Sequence, residues 1–168
     1  VDQRKIFMFA REWLPKLGYK KRGYVMNVLI PGLGKSGKMS SSEANSKVDF
    51  HDSEETIRRK ISKAYSVDGK VQDNGLLAIL KHVLWGYLIH LNKPFKAQGS
   101  DGTEMVFESH EKVEEAFANG TLMSQGLKAA LAELLIEFFA PLREFIMQPN
   151  SLELYKLAYP NRPIDGSA

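Results

Sequence analysis

Apolar positions recur at helical spacing over the first residues, with Ile6, Phe7, Phe9, Ala10, Trp13, Leu14 and Leu17 on one face. The spacing predicts an amphipathic helix from Asp2 to Leu17, capped by Asp2 and stopped by Gly18. The pattern then shortens. Tyr24 to Ile30 (YVMNVLI) is a brief apolar run rich in β-formers and reads as a buried strand. Helix, strand and then a glycine-rich loop is how an α/β nucleotide-binding sheet ends, with the ligand at the carboxyl edge of the strand. One strand makes no sheet, so its neighbours are expected upstream of residue 1.

Beyond the loop the period is helical again. Asp52-Ser53-Glu54-Glu55 offers a capping box, with Asp52 as cap, ahead of Ile57, Ile61, Ala64 and Tyr65. A second helix is expected from about Asn74 to Leu88, burying Leu76, Leu77, Leu80, Val83, Leu84 and Tyr87. Phe95 to Phe107 holds Gly99-Ser100-Asp101-Gly102 between two short runs, which predicts a β-hairpin. Ser109 caps a short helix ending at Asn119-Gly120. The longest helix runs from Ser124 to about Met147, kinked or split at Pro141. Ser151 to Tyr159 is a last helix, closed by Pro160, and the tail beyond Asn161 is expected to be loose. The expected class is mostly α with a small α/β part. Three regions follow: 1–45, ending an α/β domain; 46–160, helical with a small hairpin; and 161–168, a tail. The charged stretch Glu43 to Asp52 marks the boundary.

Composition changes this picture little. The chain has 168 residues, 43% hydrophobic, enough for one compact domain or two small ones. It has no cysteine, which excludes disulfides and thiolate metal sites and fits a reducing compartment. No apolar run approaches the roughly 20 residues of a membrane span. The start, Val1-Asp2-Gln3-Arg4-Lys5, is neither a signal peptide nor an initiator Met, so a piece of a longer protein is expected. A net charge of +3 permits an anionic partner without requiring one. His51, His82, His90 and His110 lack metal-ligand spacing, and no metal site is expected. His82 sits among apolar residues and reads as a core histidine. Arg58, Arg59, Lys60 and Lys63 form a basic helix face, solvated or set against phosphates.

The candidate chemistry lies in Lys38-Met39-Ser40-Ser41-Ser42, behind Pro31-Gly32-Leu33-Gly34-Lys35-Ser36-Gly37. A lysine and three hydroxyls on a glycine-rich backbone can close on an anion such as a triphosphate. At average composition this pentapeptide occurs by chance in about one of ten thousand chains this long. The segment resembles the KMSKS signature of class I aminoacyl-tRNA synthetases in its KMSSS form. Its flanks extend the likeness. Val1 to Phe7, Leu14-Pro15, Gly18-Tyr19, Met26-Asn27, Pro31-Gly32-Leu33, Ser46-Lys47, Arg59-Lys60-Ile61 and Lys63-Ala64-Tyr65 stand in the order found in tyrosyl-tRNA synthetases. The eukaryotic cytosolic and archaeal type is the closer match. The resemblance is strong to about residue 85 and continuous in pattern to about 146. Tryptophanyl-tRNA synthetase is the near neighbour, but its helix usually lacks a sequence like Arg4-Lys5-Ile6-Phe7.

The resemblance implies a fold and roles. Region 1–45 becomes the last helix–strand unit of a Rossmann-type catalytic domain, and 46–160 a helical anticodon-binding domain. Lys38, Met39, Ser40, Ser41 and Ser42 would close over ATP, with Lys38 the main cation and Gly32, Gly34 and Gly37 as hinges. Ser41 stands where many class I enzymes carry a second lysine. Gln3 would hold tyrosine, and Asp2 would lie near the ribose of the adenylate, although a plain helix cap explains Asp2 as well. Backbone groups of Leu29 and Ile30 would meet the adenine edge. Phe95, Gln125 and Lys128 would lie near the anticodon, with Phe95 either stacking on a base or packing under the hairpin. The acidic residue that meets guanine in the family usually precedes a Leu-Lys pair. Here Gly126 precedes Leu127-Lys128, so Asp101 or Gln125 would have to compensate, or this copy does not read the anticodon.

The expected function is thus part of a cytoplasmic tyrosine–tRNA ligase, with ATP as substrate, Mg2+ beside it and no bound organic cofactor. Its partners are tyrosine, ATP and tRNA(Tyr), and a homodimer forms through regions outside this chain. The class I His-Ile-Gly-His motif is absent, so this piece is not expected to activate tyrosine alone. A non-catalytic, synthetase-derived RNA- or protein-binding module is the alternative, as is a tryptophanyl relative.

Overall fold

A computed structural model describes residues 2–37 and 45–160, apart from the side chain of Asp2. Helix α1, Asp2–Lys16, starts at the residue expected to cap it. It ends as expected: Gly18 adopts φ +83°, its N–H donates to Pro15 O at 3.1 Å, and Tyr19 N–H reaches Leu14 O at 3.0 Å. These two bonds satisfy the last carbonyls of the helix. No strand follows. Residues 19–32 carry no regular secondary structure, and the one sheet among the described residues is elsewhere. The physical reason is a missing neighbour: Val25 and Leu29 are each 92% exposed, with no ladder to join.

The helical part folds around its own core. Helix α2 spans Glu54–Lys63, and Ser53, not Asp52, is its cap, accepting from Thr56 N at 3.1 Å. Asn74 caps α3 (Gly75–Ile79) through Leu76 N and Leu77 N. A π-helical turn over Leu80–Leu84 leads into α4, Trp85–His90. Strands β1 (Phe95–Gln98) and β2 (Glu104–Phe107) form the expected antiparallel hairpin, pairing Phe95 with Phe107. Ser109 caps α5, His110–Ala118. Helix α6, Ser124–Met147, runs unbroken through Pro141, which sits on the exposed side where water can meet the carbonyl it leaves without a donor. Helix α7 spans Pro149–Ala158.

Ile57, Ile61, Leu76, Leu80, Leu84, Val113, Phe117, Leu127 and Leu131 are all buried between α2, α3, α5 and α6. Each contributes about 1.5–3 kcal/mol by leaving water. Little of this comes from α1, whose Ile6 and Phe9 are mostly exposed. The buried core of the described chain therefore lies mainly between residues 57 and 135, joined by Leu33. His82 is exposed, correcting its assignment to the core; the buried histidine is His110.

Candidate functional site

The glycine loop has a fixed root. Leu33 is 3% exposed and belongs to the core. Its N–H donates to Ser46 O at 2.9 Å, and its carbonyl accepts from Tyr65 N at 2.7 Å. Gly32 N–H bonds to Gly37 O at 2.9 Å, and Gly37 N–H to Gly34 O at 3.0 Å. Gly37 takes φ +64°, which costs other residues more than glycine. Gly75 abuts this root, since a Cβ on it would lie 2.8 Å from Gly32 O. The Leu33–Ser46 bond therefore brings together the described chain on either side of residues 38–44. Lys38, Met39, Ser40, Ser41 and Ser42 lie outside the described residues, between two described ends. Gln3 is exposed on α1, Leu29 is exposed, and Ile30 is half-buried against the core.

The chain returning from the loop is held tightly. Arg59 Nη1 donates to Asn45 Oδ1 at 3.2 Å. Lys47 pairs with Asp49 at 2.7 Å, and Asp49 N–H donates to Asp52 Oδ2 at 2.8 Å. Asp52 also receives Lys60 Nζ at 2.6 Å, with both side chains at most 7% exposed. Lys60 therefore leaves the basic face predicted for α2 and turns inward. A buried pair of this kind is costly to break, because the remaining charge has no water to replace its partner. Arg143 of α6 donates through Nη1 to His51 O at 3.3 Å and also to Asp52 O. The His51 ring lies between Phe50 and Tyr155, each 5.4 Å away between centroids. Nothing in sequence spacing announces these contacts, as Arg143 lies 91 residues beyond Asp52.

Asp49, His51 and Asp52 bring one ligand atom each within 4.8 Å of one another, an arrangement the histidine spacing did not suggest. Both carboxylates already face lysines, Lys47 and Lys60. A cation there would compete with two ammonium groups, so the donor set fits Mg2+ poorly.

A groove of about 930 Å³ opens between β1 and the start of α6. Gly126, Ala129, Ala130 and Ala132 supply small residues, while Arg58, Lys96 and Lys128 oppose Asp68, Glu104 and Glu133. Most of these charges are paired. Arg58 forms two bonds to Glu133, at 2.8 and 3.1 Å, and they hold the Glu133 carboxyl below its usual range. Lys96 meets Glu104 at 2.9 Å, and Lys128 donates to Ser62 O at 3.0 Å. Asp68 accepts from Ser124 N at 2.6 Å, capping α6 from outside, and bonds from the Ser124 side chain and backbone lower its pKa. Such a groove suits a flat group with polar edges better than a run of phosphates.

Gln125 and Lys128 line this groove. Phe95 does not. It is 2% exposed with its ring 6.2 Å from that of Phe107, so it packs under the hairpin and offers no face to a base. Asp101 is committed to the hairpin turn, accepting from Thr103 N at 3.0 Å and Thr103 Oγ1 at 2.7 Å. Gly126 is explained by contact: a Cβ there would lie 2.0 Å from Gln98 O, so an acidic residue would force β1 away from α6.

Comparison with known proteins adds an independent finding. The family described as tRNA synthetases class I (W and Y) matches residues 1–140. The cytoplasmic tyrosine–tRNA ligase of Danio rerio is 39% identical over 95% of this chain and 30% of its own length. The probable cytoplasmic tyrosine–tRNA ligase of Encephalitozoon cuniculi is 40% identical over 95% of this chain and 46% of its own. A crystal structure of tyrosyl-tRNA synthetase from Aeropyrum pernix superposes with TM-score 0.79 at 32% identity, covering 96% of this chain and 47% of that one. The chain thus spans less than half the length of each of these relatives.

Proposed function

The chain belongs to the class I tRNA synthetases of the tryptophan and tyrosine group, and we propose that it is the C-terminal part of a cytoplasmic tyrosine–tRNA ligase. The observation that carries this is the closed root, Leu33 bonded to Ser46, from which the Lys38-to-Ser42 signature segment springs. The relatives named tyrosine–tRNA ligase, about 40% identical over nearly the whole chain, support tyrosine over tryptophan. Region 1–45 is assigned to the end of a Rossmann-type catalytic domain, 46–160 to an anticodon-binding domain, and 161–168 to a tail. The exposed faces of α1 and of residues 24–30 are then the faces that the preceding part of the domain covers.

In this reading a tyrosine carboxylate oxygen attacks the α-phosphorus of ATP. The bond from that phosphorus to the bridging oxygen breaks, and pyrophosphate leaves with the electron pair. A tRNA(Tyr) hydroxyl then attacks the activated carbonyl and AMP leaves. The protein's contribution is charge and position. Lys38 neutralises developing charge on the phosphates, and Ser40, Ser41 and Ser42 donate hydrogen bonds. Met39 lies between them, and Gly32, Gly34 and Gly37 let the segment close. With one lysine fewer than KMSKS, this loop brings less positive charge, and the Mg2+ that accompanies ATP adds to it. Asp2 and Gln3 face the ribose and tyrosine, and the backbone of Leu29 and Ile30 faces adenine. Gln125 and Lys128 face an anticodon base in the groove. The dimer forms through regions outside this chain.

A second reading, a non-catalytic binding module, rests on Gly126, which removes the acidic edge that meets guanine. Exchange of pyrophosphate into ATP separates the two. The full-length protein is expected to exchange with tyrosine and not with tryptophan. A folded full-length protein inert with both amino acids would favour the module.

A further inference from the structure

We propose that Arg11 of α1, together with Lys20, Lys21 and Arg22 of the segment behind it, forms a docking surface for the phosphate backbone of RNA, separate from the groove assigned to a base. This rests on the ligase reading above, which supplies tRNA as the partner. Residues 1–37 carry eight basic and two acidic side chains, a balance of +6 in a chain whose whole balance is +3. The rest of the chain is therefore net acidic. Asymmetry of this kind draws a polyanion to one part of the surface. The fold gathers these charges. Gly18 turns the chain back, with Tyr19 N–H bonded to Leu14 O at 3.0 Å. Tyr24 then stacks on Phe7, ring centroids 4.8 Å apart and planes 14° from parallel. Residues 19–24 thus run back beside α1, from the level of Leu14 to that of Phe7. Arg11 stands between those two levels on the same face, since positions 7, 11 and 14 share one side of a helix. Lys20, Lys21 and Arg22 therefore pass next to Arg11.

All four cations are exposed, and none joins another described residue by a hydrogen bond or ion pair. Glu12, the acidic residue of this half of α1, is held by Lys16 at 3.1 Å, and the same ammonium sits 4.0 Å from the centre of the Trp13 ring. Like charges gathered without partners repel one another, so an anion that meets them relieves the repulsion. The cations of the helical part are engaged instead. Arg58 bonds Glu133 and Glu54, Arg59 bonds Asn45, and Lys60 is buried on Asp52. In the groove Lys96 meets Glu104, and Lys128 donates to Ser62 O. That groove can specify a base, but phosphates position an RNA and need open cations. Arg11 also lies across the helix from Ile6, Phe9 and Trp13, so a body covering that apolar face leaves Arg11 open. Unpaired charges are seldom buried, which keeps Lys20, Lys21 and Arg22 outward as well.

The test uses the full-length protein and an unmodified tRNA(Tyr) transcript, with Kd measured across a salt series for wild type and for the combined variant Lys20→Gln, Lys21→Gln and Arg22→Gln. The slope of log affinity against log salt is expected to shrink by about 2, and binding at low salt to weaken about tenfold or more, equally for a non-cognate transcript. Tyrosine-dependent ATP–pyrophosphate exchange, which needs no RNA, is expected to stay within about twofold of wild type. A control variant, Lys70→Gln, Lys112→Gln and Lys156→Gln, removes the same charge from the helical part and is expected to leave the slope nearly unchanged. An unchanged slope in the first variant would overturn the proposal. Equal losses in both variants would also overturn it, because they mark net charge alone. So would retained tRNA binding with lost binding to phosphatidylserine vesicles, which would assign the surface to lipid. If the combined variant fails to fold, Lys21→Gln and Arg22→Gln are read singly, each expected to shrink the slope by a little under about 1. Unchanged slopes in both would overturn the proposal. Absence of exchange in wild type with salt-dependent RNA binding intact would instead defeat the ligase reading, so the two failures are distinguishable.

Discussion

Gly126 shows how a single missing atom shapes the groove. Glycine near the start of a helix normally sacrifices about 1 kcal/mol relative to alanine. Here the helix cannot take the better residue, because a Cβ would sit 2.0 Å from Gln98 O, a carbonyl of β1 whose residue is paired in register with Glu104. Gly126→Ala is therefore expected to destabilise the protein by about 1–3 kcal/mol despite its higher propensity. A urea titration checks this, and a stabilised Ala variant would show that the hairpin yields freely. Gly126→Asp carries the same clash plus a charge beside Glu104 and Glu133, two acidic residues of the same groove. Restoring the family's acidic residue by one substitution should thus cost stability rather than restore guanine contact.

Among the elements, α5 carries a pH response through its first residue. His110 is 3% exposed, with Nε2 3.2 Å from Leu77 O and its ring edge-on to Trp85. Burial lowers its pKa from the ordinary 6.5, opposed only in part by Glu114, whose Oε1 lies 3.4 Å from Nδ1. The unfolded chain then binds the proton more readily than the folded one. This contribution is complete above about pH 6.5 and drains away as pH falls toward the lower folded value. Urea midpoints should fall between about pH 7 and pH 5.5, and His110→Gln should flatten that slope. An unchanged slope in the variant would mean another group is responsible. Asp68 and Glu133, held below the usual carboxylate range, lose their contributions only at more acidic pH.

The elements also show what a sequence can carry. The helices, the hairpin and the Ser109 cap were legible because periodicity and turn chemistry are local. The buried histidine was misplaced, because His82 and His110 differ in which face the tertiary packing covers. Asp52 was read as a cap for the same reason: its true partner, Lys60, lies across a turn with no spacing rule to mark it. Gln125 and Lys128 were singled out by the resemblance to the family, not by spacing, whereas the exclusion of Phe95 required the hairpin's register, which pairs it with Phe107.

At the scale of the whole molecule, the two ends of the chain contrast. Residues 57–135 bury their own core, while α1 exposes an apolar face with Phe9 at 64% and Ile6 at 65%. A face of this kind marks a surface that another body covers. Phe9→Asp should leave the melting of the isolated 168-residue chain nearly unchanged. In the full-length protein the same change should destabilise by about 3–5 kcal/mol, the scale of losing a buried aromatic. Equal melting shifts in both would show that α1 packs on nothing further. Among the described residues no helix is long and apolar enough to cross a membrane. Tyrosine-dependent ATP–pyrophosphate exchange by the full-length protein, beside its Lys38→Ala variant, tests the role of the signature segment. The account predicts clear exchange that falls by about a hundredfold or more in the variant, with tyrosine binding retained, as loss of a transition-state contact requires. Exchange undiminished by the substitution would contradict it.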